Sequence, residues 1–398
     1  MSNKIIPNDD IFKFHENGKI SIIAQSPIRN NDDLSIAYTP GVGRVSMEIH
    51  NNPSKVWDYT IRNNSVAVIS DGTAVLGLGD IGPEAAMPVM EGKALLFKQF
   101  GHIDAWPICL DTKDTELIIQ TVKLLAPSFG GINLEDISAP RCFIIEDRLK
   151  NEMDIPVMHD DQHGTAVVVL AALINACKIT NKPINKSKIV ILGAGAASSA
   201  CAKILIESGA EQIILLDRQG ILHKQRSFED NPMKHWLAQH TNPSNLSGSL
   251  DDALRNADIF LGMSGPNLIT RDQILTMSPN PIIFALSNPD PEILPSEIDD
   301  IASIIATGRS DFPNQVNNAL CFPGIFRGAL NVRATIINEE MKLAAAQAIA
   351  SYIPDHSLNK NYIIPNIFEL GVAEAVAEAT MKAATSSGVA RVSPINTK

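Results

Sequence analysis

The chain has 398 residues, of which 45% are hydrophobic, with a mean hydropathy of +0.04, a formal net charge of −11 and a pI of about 5.3. This is the balance of an ordinary globular protein with room for two or three domains, and its acidity argues against nucleic acid or an anionic membrane surface as a main partner. Five cysteines stand singly with no C-x-x-C pair, which fits reduced thiols in a cytoplasmic protein.

Residues 1–60 read as polar and turn-rich. They start with MSNKIIPNDD, which lacks the regions of a signal peptide, and include a Pro-Gly loop just after Tyr38. A β-branched run over 66–70 predicts a strand stopped by Asp71-Gly72. Met87, Met90, Ala94, Leu95 and Phe97 give one apolar side to a helix over 83–100. A strand over 103–110, a helix over 115–126 and an approach through 130–134 to Glu135 complete a first α/β domain, taken as 1–158. Residues 165–176 predict a buried helix, well short of the roughly 20 residues of a membrane span. Strands follow at 188–192, 212–216, 258–263, 282–286 and 303–306, with a helix over 196–207 and an alanine-rich helical tail over 334–384. Strands separated by helices imply a parallel sheet with right-handed crossovers, so 159–398 reads as a Rossmann-like, doubly wound domain with C-terminal helices.

The strand at 188–192 runs into Gly193, Ala194, Gly195, Ala196 and Ala197 before the next helix. The first glycine permits the sharp turn, and the second lets backbone approach a pyrophosphate seated on the helix N-terminus. Asp217 follows Gly195 by 22 residues, at the end of the next strand, where a carboxylate can take a ribose hydroxyl pair. That acid favours NAD, while the adjacent Arg218 could support NADP. Asn288, before Pro289, sits past a strand's carboxyl end and reads equally as a ligand contact or a turn-former.

Two acidic signatures precede this fingerprint: Glu135-Asp136 and Asp160-Asp161. Hard cations such as Mg²⁺ and Mn²⁺ take carboxylate oxygens and keep positions for substrate. Each signature alone also reads as acidic charge at a helix start, and their joint presence near a domain junction favours the metal. His159 and His163 read as structural. Lys93 lies on a largely apolar helix. Most such lysines extend to solvent, but a desolvated one beside a cation would have a lowered pKa and could act as a base. Tyr38 can be a proton donor or a packed ring. A metal beside a nicotinamide suggests oxidation of an alcohol that chelates the metal.

The segments YTPGVG, SDGTAVLGLGDIGPEAAMPVMEGKALLFKQFGHIDAWPICLDT, GGINLEDI, PVMHDDQHGTA, ILGAGAAS, SNPDPEI and TGRSDFPNQVNNALCFPGIFRGAL resemble malic enzymes, in particular the small bacterial form, over about residues 10–385. The resemblance implies oxidative decarboxylation of L-malate to pyruvate and CO₂ with NAD or NADP and Mg²⁺ or Mn²⁺. It implies Tyr38 as general acid, Lys93 as general base, Glu135, Asp136 and Asp161 as metal ligands, and Asp160 just behind them. Asn288 and Asn318 would close over nicotinamide and substrate, and Lys55 would take a substrate carboxylate. It also implies a homodimer or a larger homo-oligomer. Ala74 stands where larger relatives carry an arginine, so the C4 carboxylate must be held otherwise. A metal-dependent 2-hydroxyacid dehydrogenase without decarboxylation and a non-catalytic nucleotide sensor are the rivals.

Overall fold

Short β-branched runs flanked by helices pair in parallel, and in the computed structural model, which describes residues 7–228 and 231–393, they form two separate sheets. The chain begins with α1 (Asn8–His15), α2 (Asn31–Ala37), α3 (Gly41–Asn51) and the short α4 (Val56–Tyr59). The first sheet holds β1 (Ser65–Ser70), β2 (Asp104–Cys109), β3 (Gly131–Leu134) and β4 (Val157–His159) in the order β2-β1-β3-β4, all parallel. Its crossovers are α5 (Pro83–Gly101), α6 (Thr115–Leu125) and α7 (Arg141–Glu152).

Helix α8 (Asp160–Thr180) leads to the second sheet. This contains β5 (Lys188–Leu192), β6 (Gln212–Asp217), β7 (Gly220–Ile221), β8 (Ile259–Gly262), β9 (Ile282–Ala285) and β10 (Ile304–Thr307) in the order β10-β9-β8-β5-β6-β7. Only β7 is antiparallel. The order reverses at β5, the switch point where doubly wound sheets open a ligand crevice. Between these strands lie α9 (Ala196–Glu207), α10 (Pro232–His240), α11 (Leu250–Leu254) and α12 (Arg271–Ile274), and the chain ends with α13 (Phe322–Asn331), α14 (Glu339–Tyr352) and α15 (Val372–Ser386).

The core explains why the two sheets are held together. Helix α8 is apolar on all sides, buries Val167 to Leu173 without a break, and packs against α9 and α14. It joins one cluster with Val66, Met90 and Phe97 of the first unit and Ile189, Ile191 and Phe284 of the second. Phe97 of α5 also meets Phe322 and Phe326 of α13, with ring centroids 4.7 and 5.4 Å apart, a favourable aromatic spacing.

Four expectations change. Residues 7–60 hold helices where turns were expected, because their amphipathic spacing was masked by the polar composition of the segment. Helix α8 starts at Asp160, before the expected 165, since Asp160 and Asp161 supply the acidic first turn rather than a loop. It is therefore long and apolar enough to cross a membrane by length and composition, yet its most apolar window is 72% buried by the rest of the protein. Helix α7 and strand β4 had no clear periodic signal, and the tail divides into α14 and α15 with 353–371 non-helical between them.

Candidate active site

The carboxyl ends of β3 and β4 carry the acidic signatures. Ile69 of β1 lies in register with Leu134, and its carbonyl accepts from Glu135 N–H at 2.8 Å, which fixes where β3 ends. Adjacent side chains on an extended strand would point to opposite faces. Asp136 avoids this by adopting φ 54°, a left-handed turn that Asp tolerates better than most residues. Its N–H donates to Asp161 Oδ2 at 2.8 Å, tying the loop to the first turn of α8. Carboxylate oxygens of Glu135, Asp136 and Asp161 consequently lie within 4.8 Å of one another.

Such crowding is unfavourable without a counter-charge. Burial, followed by the charges of Asp161 and Glu135, pushes the Asp136 carboxyl up to about 9. Asp136 Oδ2 is buried and has no hydrogen-bond partner among the described residues. An orphaned carboxylate oxygen beside two further oxygen donors fits a divalent cation of the Mg²⁺ or Mn²⁺ kind.

Lys93 of α5 is 7% exposed, with Nζ 2.6 Å from Asp160 Oδ2 and 2.9 Å from Glu135 Oε1, and 4.2 Å from the Phe322 ring centre. Burial pulls its pKa down, but Asp160, Glu135 and Asp161 together outweigh that and hold the ammonium well above its usual range. Held by these carboxylates, Lys93 carries a proton; the expected lowering depends on a cation beside them. Gly164 makes room for the pair, because a Cβ there would lie 1.8 Å from Asp160 Oδ1.

One residue that sequence reasoning passed over organises this turn. Glu146 of α7, buried, accepts from His159 N–H at 2.9 Å and Gln162 Nε2 at 3.2 Å, and pairs with Lys150 at 2.8 Å. His163 Nε2 lies 2.9 Å from its Oε2, and His163 Nδ1 lies 3.1 Å from Lys342 Nζ of α14. Burial pushes His163 down to about 3. The neutral ring therefore donates through Nε2 and accepts from Lys342 through Nδ1, the tautomer this network requires. His159 is likewise held below its usual value by burial. Both ring nitrogens of His159 are buried without a hydrogen-bond partner among the described residues.

The nucleotide cleft opens at the reversal of strand order. Gly193 has φ 123°, and a Cβ there would come within 2.7 Å of the Met263 carbonyl. Gly195 is the N-cap of α9 with no side-chain cap, which leaves backbone donors at that helix end for an anion. A cavity of about 800 Å³ is lined by Gly193, Ala194, Gly195, Asp217, Arg218, Arg226, Lys234 and Pro140. Pro140 follows Asp136 by four residues, so the acidic loop also forms a wall of the cleft. Asp217 ends β6 in the cleft, but its oxygens are already bonded to Arg226, Lys234 and the Gln219 N–H.

Asn288 is exposed beyond β9, and its carbonyl approaches Gly77 so closely that a Cβ there would be 2.3 Å away. The Leu-Gly loop after Ala74 thus meets the Asn288 loop across the cleft. The Asn318 side chain borders Gly164 and therefore Asp160. Arg141 bonds Asp71 and Thr73 just before Ala74.

Two expected residues stand apart. Tyr38 is 66% exposed at the end of α2, and Lys55 pairs with Asp58 at 3.1 Å. Among the described residues neither has a hydrogen bond to Lys93 or to the acidic cluster. Structure thus gathers Lys93, Glu135, Asp136, Asp160, Asp161 and Asn318, sets Gly193 to Gly195 and Asp217 in the adjoining cleft with Ala196 and Ala197 opening α9 behind them, and leaves Tyr38 and Lys55 on the surface.

Comparison with known proteins agrees with this geometry. Residues 17–150 match the family described as malic enzyme, N-terminal domain, and 162–385 match malic enzyme, NAD binding domain. The chain is 58% identical to an NAD-dependent malic enzyme of Geobacillus stearothermophilus, over 96% of this chain and 80% of that one. It is 47% identical to an NADP-dependent malic enzyme of Halomonas elongata, over 94% and 92%. Its fold is similar to the crystal structure of malic enzyme from Pyrococcus horikoshii, with a TM-score of 0.92 and 46% identity over 96% of this chain and 92% of that one.

Proposed function

We infer how one reaction is divided among these residues from a plain premise: this chain belongs to the malic enzyme family and oxidatively decarboxylates L-malate to pyruvate and CO₂ with reduction of NAD(P)⁺. Family membership at this identity decides against both rivals, the non-decarboxylating dehydrogenase and the nucleotide sensor. The observation that carries the assignment of residues is the orphaned, mutually repelling carboxylate trio beside Lys93, a short loop away from the nucleotide cleft.

Glu135, Asp136 and Asp161 are the residues that hold the divalent cation. When bound, it supplies Lewis-acid polarisation of the 2-hydroxy and 2-oxo oxygens, while nicotinamide serves as hydride acceptor. Lys93 takes the C2 hydroxyl proton. In the metal-free arrangement its ammonium is held by Asp160 and Glu135, and cationic charge on the trio weakens that hold and favours the neutral amine. Asp160, at 2.6 Å, shares the proton with Lys93 and keeps its Nζ aimed. Asn288 and Asn318 close the cleft from the second unit. The two units are taken as 1–158 and 159–398.

Tyr38 is the acid that protonates C3, and Lys55 receives a carboxylate, but each must reach a site that its own chain does not bring to it. Helices α1 to α3 bury no residue, and they and the connection between α1 and α2 expose Phe12, Ile22, Ile23, Ile36 and Met47 by 56–81%. An apolar face of this extent marks an interaction surface. A second copy of the chain is its natural cover, and a homodimer or higher homo-oligomer would deliver Tyr38 and Lys55 to the partner's acidic site. Free and mostly buried cysteines support a cytoplasmic location. Mixing inactive Tyr38→Phe and Lys93→Ala proteins tests the shared site. Mixed dimers regain part of the activity if residues are exchanged, and none if each chain works alone.

A further inference from the structure

We propose that the nucleotide cleft is built for a 2′-phosphorylated dinucleotide, NADP⁺, with Arg218 and Lys234 as the residues that select it. This deepens the reading above and rests on it only for the identity of the oxidant. The deciding observation is the state of Asp217. A carboxylate that selects an unphosphorylated ribose must offer free lone pairs to two hydroxyls. Here Oδ1 accepts from Gln219 N–H at 2.9 Å and Arg226 Nη2 at 3.0 Å, and Oδ2 accepts from Arg226 Nη2 at 3.0 Å and Lys234 Nζ at 2.7 Å. Two donors on each oxygen use up its capacity, so the acid acts as an internal anchor for cations.

The anchored group is fixed. Arg226 Nη1 also donates to the carbonyls of Gly220 and Ile221 at 3.0 Å each, and Nη2 to Gln219 Oε1. Lys234 projects from α10 and has Asp217 as its one partner among the described residues. Arg218, exposed on the same wall, makes no ion pair among them. Two cations on one wall of the cleft, Arg218 and Lys234, suit the charge of about −1.5 to −2 on a phosphate monoester. A bare ribose diol carries no such charge.

Titrating the purified chain by calorimetry with adenosine 2′,5′-bisphosphate and with AMP tests this without turnover. Should both fragments bind too weakly to measure, NADP⁺ and NAD⁺ are compared in the same way. The 2′-phosphorylated ligand is expected to bind about tenfold or more tightly, and Arg218→Ala and Lys234→Met are each expected to shrink that ratio severalfold. Asp217→Asn is expected to shrink it as well, by releasing Lys234 from its anchor. Equal or tighter binding of the unphosphorylated ligand overturns the proposal, as does a ratio untouched by both cation variants. Absence of malate turnover would count against the family reaction while leaving these binding ratios to decide the inference on their own.

Discussion

The acidic edge of the first sheet and the N-terminal arm place the proposed catalytic groups in opposite ways. At the edge, Lys93, Glu135, Asp136 and Asp160 are buried to within a few per cent; Lys93 pairs with both Glu135 and Asp160, and the Asp136 N–H is tied to Asp161. On the arm, Tyr38 and Lys55 ride on helices with no buried residue of their own. The edge is assembled within one chain, where Lys93 answers Asp160 and Glu135. Helices α1 to α3 bury no residue, and the proposed cover for the arm's apolar residues is a second copy of the chain. Preorganised electrostatics belongs to the first region, and in the proposed reading assembly governs the second.

The sharpest way to break this contrast is to remove a group at the edge. Lys93→Ala is expected to lower kcat about 10³–10⁴-fold with the fold intact by circular dichroism, in line with loss of a positioned base. A variant that retained near-normal kcat would remove Lys93 from the chemistry. On the arm, Tyr38→Phe is expected to slow pyruvate formation about 10²-fold or more while sparing NADH production from malate to a greater degree. Equal retention of both activities, assayed separately, would refute its assignment as the acid.

Stability should separate the regions too. Glu146→Ala strips a buried carboxylate from Lys150, His163 and the His159 N–H, and is expected to cost about 3–5 kcal/mol in urea unfolding. The metal-free edge also predicts a pH slope. Asp136 is raised in the folded state from an ordinary value of 3.8, so as pH rises the unfolded chain gives up this proton first and stability falls. Between pH 6.5 and 8 the loss amounts to about 1–2 kcal/mol, and saturating Mn²⁺ should abolish it. Thermal melts with EDTA or Mn²⁺ check both the sign and the cure. The smallest effect belongs to the arm: Met47→Asp should change the stability of the single chain by no more than about 0.5 kcal/mol. The same change should shift the sedimentation profile toward smaller species and lower the activity with it.

Much of the edge and cleft was legible because local rules and the fold agree there. Strand, glycine turn and helix over 188–207 lie where their pattern puts them, and the acid pairs stand at strand ends. Three things were not legible, each for a physical reason. The hold on the Lys93 ammonium comes from carboxylates 42 and 67 positions away, which no local rule reveals. Glu146, His163 and Lys342 meet only in three dimensions, and nothing in their local sequence separates them from solvated helix charges. Asp217 stands at a strand end, as a ribose ligand would, and its bonds to Arg226 and Lys234 come from a turn and a helix that no local signal announces.

Binding of Mn²⁺ to the purified chain, followed by calorimetry or electron paramagnetic resonance, tests the central claim most directly. One ion per chain, lost or weakened at least tenfold in Asp136→Asn and Asp161→Asn proteins that still melt cooperatively, is the predicted result. Undiminished binding of one ion in the doubly substituted protein would contradict it.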